Sequence, residues 1–353
     1  GLSGIEKKRI YNNIVSLSQN QTILIVDHHK NFLSVAKKVF ALGNGGGKNS
    51  GNIINTADYL KSQDIIFLKP ITNVSEEKYI VINNDVYSYK GVNIKIVMNS
   101  LNIIIGKSGI GKSTLLREYL KQFFENYQYV SQKNLLGNKN SCVATLLNIN
   151  NKIFEMFSDK FGKDKKFFSN LTGSKNVCRH CSGAGYIEIG AEYSNSVKIC
   201  CNECRGTGFG IVLQKYKIGA KSIFDIWGMT IDEFILYCQE YNVKLINILL
   251  QAQSLLLGHL CIGQSSVTLS GGENIRIKVL KSANSSAEII GIDEPFRGLN
   301  STEISVLLSF FRDISKNNKT IIVADHEEDS FVSFDKVISL ENIDDFLVEK
   351  CIK

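Results

Sequence analysis

Three stretches of this chain predict an α/β fold in which a mostly helical, metal-bearing subdomain interrupts a parallel-sheet domain. The first is an apolar strand, Leu101 to Ile105, that feeds straight into the loop Gly106-Lys107-Ser108-Gly109-Ile110-Gly111-Lys112-Ser113-Thr114 and a helix opening Leu115-Leu116. The second is a pair of Cys-x2-Cys spacings, Cys178 with Cys181 and Cys201 with Cys204. The third is another apolar run, Ile289 to Ile292, that ends in two adjacent acids, Asp293 and Glu294. Short all-apolar strands alternating with helix-period segments are the pattern of a parallel sheet covered on both faces.

Composition sets the bounds. The 353 residues are 44% hydrophobic and 21% charged, enough for one large or two modest cores. A net charge of +7, from 41 Lys+Arg against 34 Asp+Glu, favours a nucleic-acid partner over an acidic one. A lysine-rich surface without such a partner accounts for the charge equally well. No apolar run approaches the roughly 18 residues of a membrane span and no charged-then-apolar leader opens the chain, so no membrane partner is expected. Four of the nine cysteines sit in paired spacing, while Cys142, Cys238, Cys261 and Cys351 are scattered. That usage suits metal binding in a reducing cytoplasm better than a disulfide framework.

Residues 1–60 read as an earlier copy of the chain's own end. Gly1-Leu2 is followed 27 positions after Gly1 by His28, which closes Ile23-Leu24-Ile25-Val26-Asp27. Gly298-Leu299 is followed 28 positions after Gly298 by His326, which closes Ile321-Ile322-Val323-Ala324-Asp325. Leu42 and Leu340 each lie 14 positions beyond their histidine. Both copies read as a turn, an amphipathic helix, a buried strand ending in Asp-His, then a short helix and strand. The second copy directly follows the acidic strand, so residues 1–60 are expected to be the tail of a first domain of the same kind. The stretch Ala41 to Asn49 lacks the spacing of a phosphate loop and has Asn49 where a hydroxyl is needed; it reads as a glycine-rich turn. Residues 61–92 read as the crossing into the next domain, with Lys78 to Ile82 opening its sheet. An ordinary half-buried strand tyrosine is a better reading of Tyr87 and Tyr89 than a ring that stacks on adenine.

The strand, loop and helix around Gly106-x4-Gly111-Lys112-Ser113 form a nucleotide site. Gly106, Gly109 and Gly111, with Ser108 and Thr114 in the same loop, let backbone N–H groups turn inward around a β-phosphate at the positive end of the helix. Lys112 reaches the β- and γ-phosphates, and the Ser113 hydroxyl holds Mg2+. Asp293 holds the same Mg2+ through water, while Glu294 orients or deprotonates the attacking water.

Cys178-Arg179-His180-Cys181-Ser182-Gly183-Ala184-Gly185 and Cys201-Asn202-Glu203-Cys204-Arg205-Gly206-Thr207-Gly208 are two copies of one knuckle. Their glycines let the backbone curl so that N–H groups face the sulfurs. Four thiolates at about 2.3 Å make a closed tetrahedral Zn2+ site, structural rather than catalytic. Cys200 and His180 are left as bystanders.

Between the knuckles and the acidic strand lies Leu269-Ser270-Gly271-Gly272-Glu273, the signature of ABC ATPases. A phosphate loop, two knuckles and that signature, in this order, resemble the UvrA family of bacterial nucleotide excision repair. The segments from Lys221 to Phe234 and from Leu257 to Ser265 agree with it, so the resemblance covers nearly the whole chain. It implies an ABC-type core at residues 93–135 and 285–353, and a signature subdomain at 136–284 that holds the zinc module at 178–204. It implies that Ser270, Gly271 and Gly272 close on the γ-phosphate of nucleotide held by an opposing domain. The composite site then needs an N-terminal ATPase half or a second copy of the chain. By the same resemblance His326 is the switch histidine at the γ-phosphate, and Gln132 is the glutamine that links this phosphate to the helical subdomain. ATP, Mg2+ and Zn2+ are the expected cofactors and duplex DNA the expected partner, whereas a UvrB-type partner is not expected to bind through this region.

The chain departs from the family pattern in several places. Asn274-Ile275 stands where Ala-Gln is usual, Phe296-Arg297 replaces Thr-Thr, and Lys133 to Asn140 replaces a basic, proline-containing stretch. The residues between the knuckles hold Glu188 and Glu192 against Lys198, a poor phosphate clamp. Lys160 to Phe168 interleaves bases with aromatics and is the better nucleic-acid candidate; solvated lysines over buried phenylalanines explain it equally well. The expected function is ATP hydrolysis coupled to DNA engagement in damage recognition. The alternatives are a paralogue in self-resistance or defence that acts on a protein or drug–DNA target, and an ATP-gated dimerisation module without turnover.

Overall fold

The computed structural model describes residues 4–26, 33, 36–43, 51–61, 68–70, 77–82, 92–133, 141–171, 173–189, 197–241, 243, 246–326 and 328–340. The chain divides into two compact units, residues 1–133 with 278–353, and residues 134–277.

The first unit is built on a five-stranded sheet. Its strands lie in the order Lys336–Ser339, Leu101–Ile105, Thr320–Ala324, Ile289–Asp293, Tyr127–Val130. Every neighbouring pair is parallel. The Ile289–Asp293 and Thr320–Ala324 strands are buried at every position. Buried on both faces, such strands must be apolar throughout. In the neighbouring strand Leu101–Ile105, buried Asn102 is tolerated because its side-chain amide donates to Val97 O and its carbonyl accepts from Val97 N–H, both at 2.8 Å. Gly291 is dictated by a close approach: a Cβ there would lie 1.8 Å from the Tyr127 hydroxyl, which donates to Leu116 O at 2.7 Å.

An antiparallel hairpin, Glu77–Ile82 with Val92–Val97, supplies Ile94 and Ile96 to one core. That core also takes Leu115, Leu116, Tyr119 and Leu120 from the helical stretch after the phosphate loop. The same stretch passes through a π-helical turn over Leu115–Tyr119, an irregularity often found beside functional sites. Helix Ser301–Lys316 is capped by Asn300 and Glu303, which accept from one another's backbone N–H groups. Its buried Arg312 donates to Asp335 at 2.6 Å, and Asp335 also accepts from Leu101 N–H at 2.9 Å. This pair ties helix, strand and loop together.

At the N-terminal end, helix Gly4–Leu17 is followed by a hairpin of Ala41–Gly43 with Asn52–Ile54 and by helix Thr56–Lys61. The strand expected at Ile23–Val26 does not form. Leu24 is 89% and Val26 97% exposed, whereas its counterpart Thr320–Ala324 is buried between two parallel neighbours. Apolar sequence alone does not make a strand; a hydrogen-bonding neighbour does, and none pairs with residues 22–26 among the described residues. His28, the turn at 44–50, and Tyr87 and Tyr89 lie outside the described residues.

The second unit is mainly helical, with helices Asn150–Phe161, Ile223–Gly228, Ile231–Glu240 and Ile246–Ser254. Trp227 is its aromatic centre, stacked on Phe154 at 5.8 Å and met edge-on by Phe209 at 4.9 Å. Phe209 directly follows the second knuckle and bridges to Val177 just before the first. The metal module is thereby anchored in the helical core at both of its ends.

Candidate functional site

The phosphate loop owes its shape to its glycines. Gly106, Gly109 and Gly111 have φ of 149°, 82° and 101°, values that side chains oppose. Within the ring they form, Lys112 is buried, and its ammonium donates to the carbonyls of Gly106 at 2.6 Å and Lys107 at 3.0 Å. An anionic phosphate would draw that cation off neutral carbonyls. Ser108 and Gly109 are exposed at the loop's outer edge, and Ser113 and Thr114 are half-buried.

Ser113 donates to Asp293 Oδ1 at 3.0 Å, and Tyr129 donates to Asp293 Oδ2 at 2.9 Å. Burial, with the Asp293 charge added to it, pushes the Tyr129 hydroxyl far above its ordinary value, so it remains a donor. One hydroxyl and one carboxylate leave the remaining positions of an octahedral ion to water and phosphate oxygens, which suits Mg2+.

Glu294 takes the next position with φ of +46°, a conformation that costs a non-glycine residue energy and clusters at active sites. Its N–H donates to Ala324 O at 2.8 Å, which locks the turn. One of its carboxylate oxygens lies 3.8 Å from His326 Nε2 and the other 3.5 Å from Arg297 Nη1. Asp325, also buried, accepts from His326 N–H at 2.6 Å and Phe296 N–H at 3.0 Å, so it joins the two loops. Gln132 is exposed, and its Oε1 accepts from Arg297 at 3.4 Å. Gln132, Asp293, Glu294 and His326 thus gather at the carboxyl ends of three adjacent parallel strands, the usual place for a site in such sheets.

In the second unit, Ser270 N–H donates to Glu273 Oε2 at 2.7 Å, while the Ser270 hydroxyl accepts from Glu273 N–H at 3.2 Å. Gly271 and Gly272 open the helix that runs to Ala283. His259 fixes the other Glu273 oxygen at 2.8 Å. The substituted Asn274 is buried and donates to the carbonyls of Leu269 and Ser270 at 3.2 and 3.1 Å, so it supports the turn. Phe296, the other departure, is buried against Phe311 and Phe334, each with ring centroids 6.3 Å away.

The four knuckle cysteines are all buried, and their sulfurs lie within 4.8 Å of one another. Cys178 and Cys201 are 3.8 Å apart and Cys181 and Cys204 3.6 Å. Tetrahedral sulfurs at about 2.3 Å from one ion are separated by about 3.8 Å, so the donor set fits Zn2+. Gly185 N–H donates to Cys181 Sγ at 3.2 Å and Gly208 N–H to Cys204 Sγ at 3.3 Å, a matched pair. Burial pushes the Cys204 thiol up; a cation beside it has the opposite effect. Cys200 is exposed.

In the stretch from Lys160 to Phe168 the aromatics pack on one another and on Tyr216. Phe168 is fully buried, and Phe161 and Phe167 pack on Tyr216 at 5.1 and 5.4 Å. Lys163 lies over the Phe167 ring at 5.0 Å. Phe161 and Phe167 remain half-exposed, so of the three rings Phe168 is the one wholly removed from base stacking.

Tyr129, Asp325, His259 and Arg297 carry no role in the sequence reading. The repeated Asp-His was the available signal for Asp325. For the other three, strand register and side-chain reach decide, and neither is visible in sequence.

Residues 89–297 match the family model described as ABC transporter. The chain is 26% identical to UvrABC system protein A of Clostridium tetani over 366 residues, covering 90% of this chain and 39% of that protein. It is 24% identical to UvrABC system protein A of Aquifex aeolicus over 392 residues, with 96% and 42% covered. The chain thus spans about two fifths of the length of these relatives. The crystal structure of UvrA2 from Deinococcus radiodurans superposes with a TM-score of 0.84 at 20% identity, covering 96% of this chain and 46% of that one; it shares the fold.

Proposed function

This chain belongs to the ABC family, and we propose that it binds Mg2+–ATP at the Gly106–Thr114 loop and hydrolyses it with Glu294 as the residue that activates water. The observation that carries this reading is the Asp293 carboxylate bonded to Ser113, with Glu294 and His326 within 3.8 Å of each other one step beyond it. Lys112 holds the phosphates, Ser113 and Asp293 the ion, and Gln132 and His326 the γ-phosphate. Ser270, Gly271 and Gly272 serve a nucleotide on an opposing domain. Zn2+ in the four-cysteine site is structural.

Similarity to UvrABC system protein A supports a role in which turnover is coupled to duplex DNA and to damage recognition. Residues 1–60 are the tail of a first ATPase domain in this reading, supported by the internal repeat. One observation favours a protein target instead. Ile187 pairs with Ile199, Ile189 lies on the same face of that hairpin, and Ile189 is 57% and Ile199 46% exposed.

The test is the ATPase rate with and without duplex DNA, undamaged and carrying a bulky adduct, at fixed moderate salt, with an N-terminal half supplied. Stimulation larger with the adduct supports damage sensing. A rate indifferent to DNA removes the DNA partner and leaves the ATPase. A rate no greater than that of Glu294→Gln removes hydrolysis.

A further inference from the structure

Arg297 stands where the family pattern has a threonine, and its side chain is 63% exposed. Its Nη1 lies 3.5 Å from Glu294 Oε2 and 3.4 Å from Gln132 Oε1. Two groups that the proposed reaction needs are therefore joined through one guanidinium. The backbone on either side of Gln132 is also fixed, because Lys278 donates to the carbonyls of Ser131, at 2.8 Å, and Lys133. Gln132 is left with its side chain as the part free to move, and Arg297 holds that part. At Glu294 the guanidinium faces one carboxylate oxygen while His326 faces the other at 3.8 Å.

From this arrangement we propose that Arg297 is a positioning residue that tethers Gln132 to Glu294 and restrains ATP turnover. The inference rests on the assignment of Glu294 as the water-activating group. A carboxylate beside a permanent cation is a weaker proton acceptor, and the oxygen that faces Arg297 must be released before it can take a water proton. Both effects slow hydrolysis, and both end when the cation is removed. The contact is exposed, so its strength is that of a surface ion pair and its effect falls as salt rises.

The experiment compares wild type with Arg297→Thr and Arg297→Lys, each with the N-terminal half supplied, for kcat and KM of ATP hydrolysis across a series of salt concentrations. Surface pairs of this strength correspond to an increase in kcat of about two- to fivefold for Arg297→Thr, with KM little changed. Arg297→Lys keeps the charge without the planar fork and falls between the two. Wild-type kcat should climb towards that of Arg297→Thr as salt rises, while the variant stays flat. A packing role would produce no such convergence. A kcat for Arg297→Thr that is unchanged or lower overturns the tether and leaves the ATPase reading intact. A wild-type rate equal to that of Glu294→Gln overturns both. The residue is exposed enough that an unchanged unfolding midpoint is expected for both variants.

Discussion

Replacing Gly185 with alanine tests how the metal module is held. Gly185 has φ of +79°, and a Cβ there would sit 2.4 Å from Gly206 O, where ordinary contact begins near 3.4 Å. One backbone must retreat by about 1.0 Å. The retreat strains two contacts at once, Gly185 N–H to Cys181 Sγ at 3.2 Å and Cys201 N–H to Gly185 O at 2.9 Å. The left-handed conformation costs alanine about 1–2 kcal/mol. A hydrogen bond to a charged sulfur is worth roughly 1.5–3 kcal/mol. With partial relaxation about 3 kcal/mol remains, equivalent to roughly 100-fold in zinc affinity. Competition against a chromophoric zinc chelator measures this directly. Gly162→Ala is the control, since Gly162 has φ of +60° and nothing within 4 Å of its Cβ position. If both variants hold zinc as well as wild type, the close approach of the two knuckles is not what shapes the site.

The other expectations are as follows. Glu294→Gln should keep ATP binding while turnover falls by about 100-fold or more; unchanged turnover removes its assigned role. Gly291→Ala should destabilise by roughly 1–3 kcal/mol through overpacking against Tyr127, and Tyr127→Phe should recover part of it, because the nearest contact retreats from 1.8 to 2.7 Å; denaturant midpoints measure both. At Glu273, burial alone would raise the carboxyl, but the Ser270 and His259 hydrogen bonds outweigh it and hold it below the ordinary carboxylate value. Its contribution is therefore present above the unfolded value and lost as pH falls through the folded one. Acid titration should show wild type losing this stability in that window and Glu273→Gln showing no corresponding loss.

The glycine-rich loop, the acid pair, the four cysteines and the parallel sheet were legible in sequence, because each rests on short-range spacing or a continuous apolar run. Ile23–Val26 shows where this stops. The run is as apolar as Ile321–Ala324, yet among the described residues only the latter is paired with neighbouring strands. The lysine and phenylalanine stretch shows the same limit, since spacing cannot tell Phe168 turned into a core from a ring offered to a base. Tyr129 and Arg297 were illegible for a further reason. Their importance lies in what they reach across the sheet ends, Asp293 for one and Gln132 with Glu294 for the other.

The turn that places Glu294 has a consequence for how this protein would evolve under heat. At φ of +46° the chain prefers glycine or asparagine over glutamate. If Glu294 activates water as proposed, a screen that rewarded only endurance at high temperature would drift this position towards those two residues and lose turnover while improving survival.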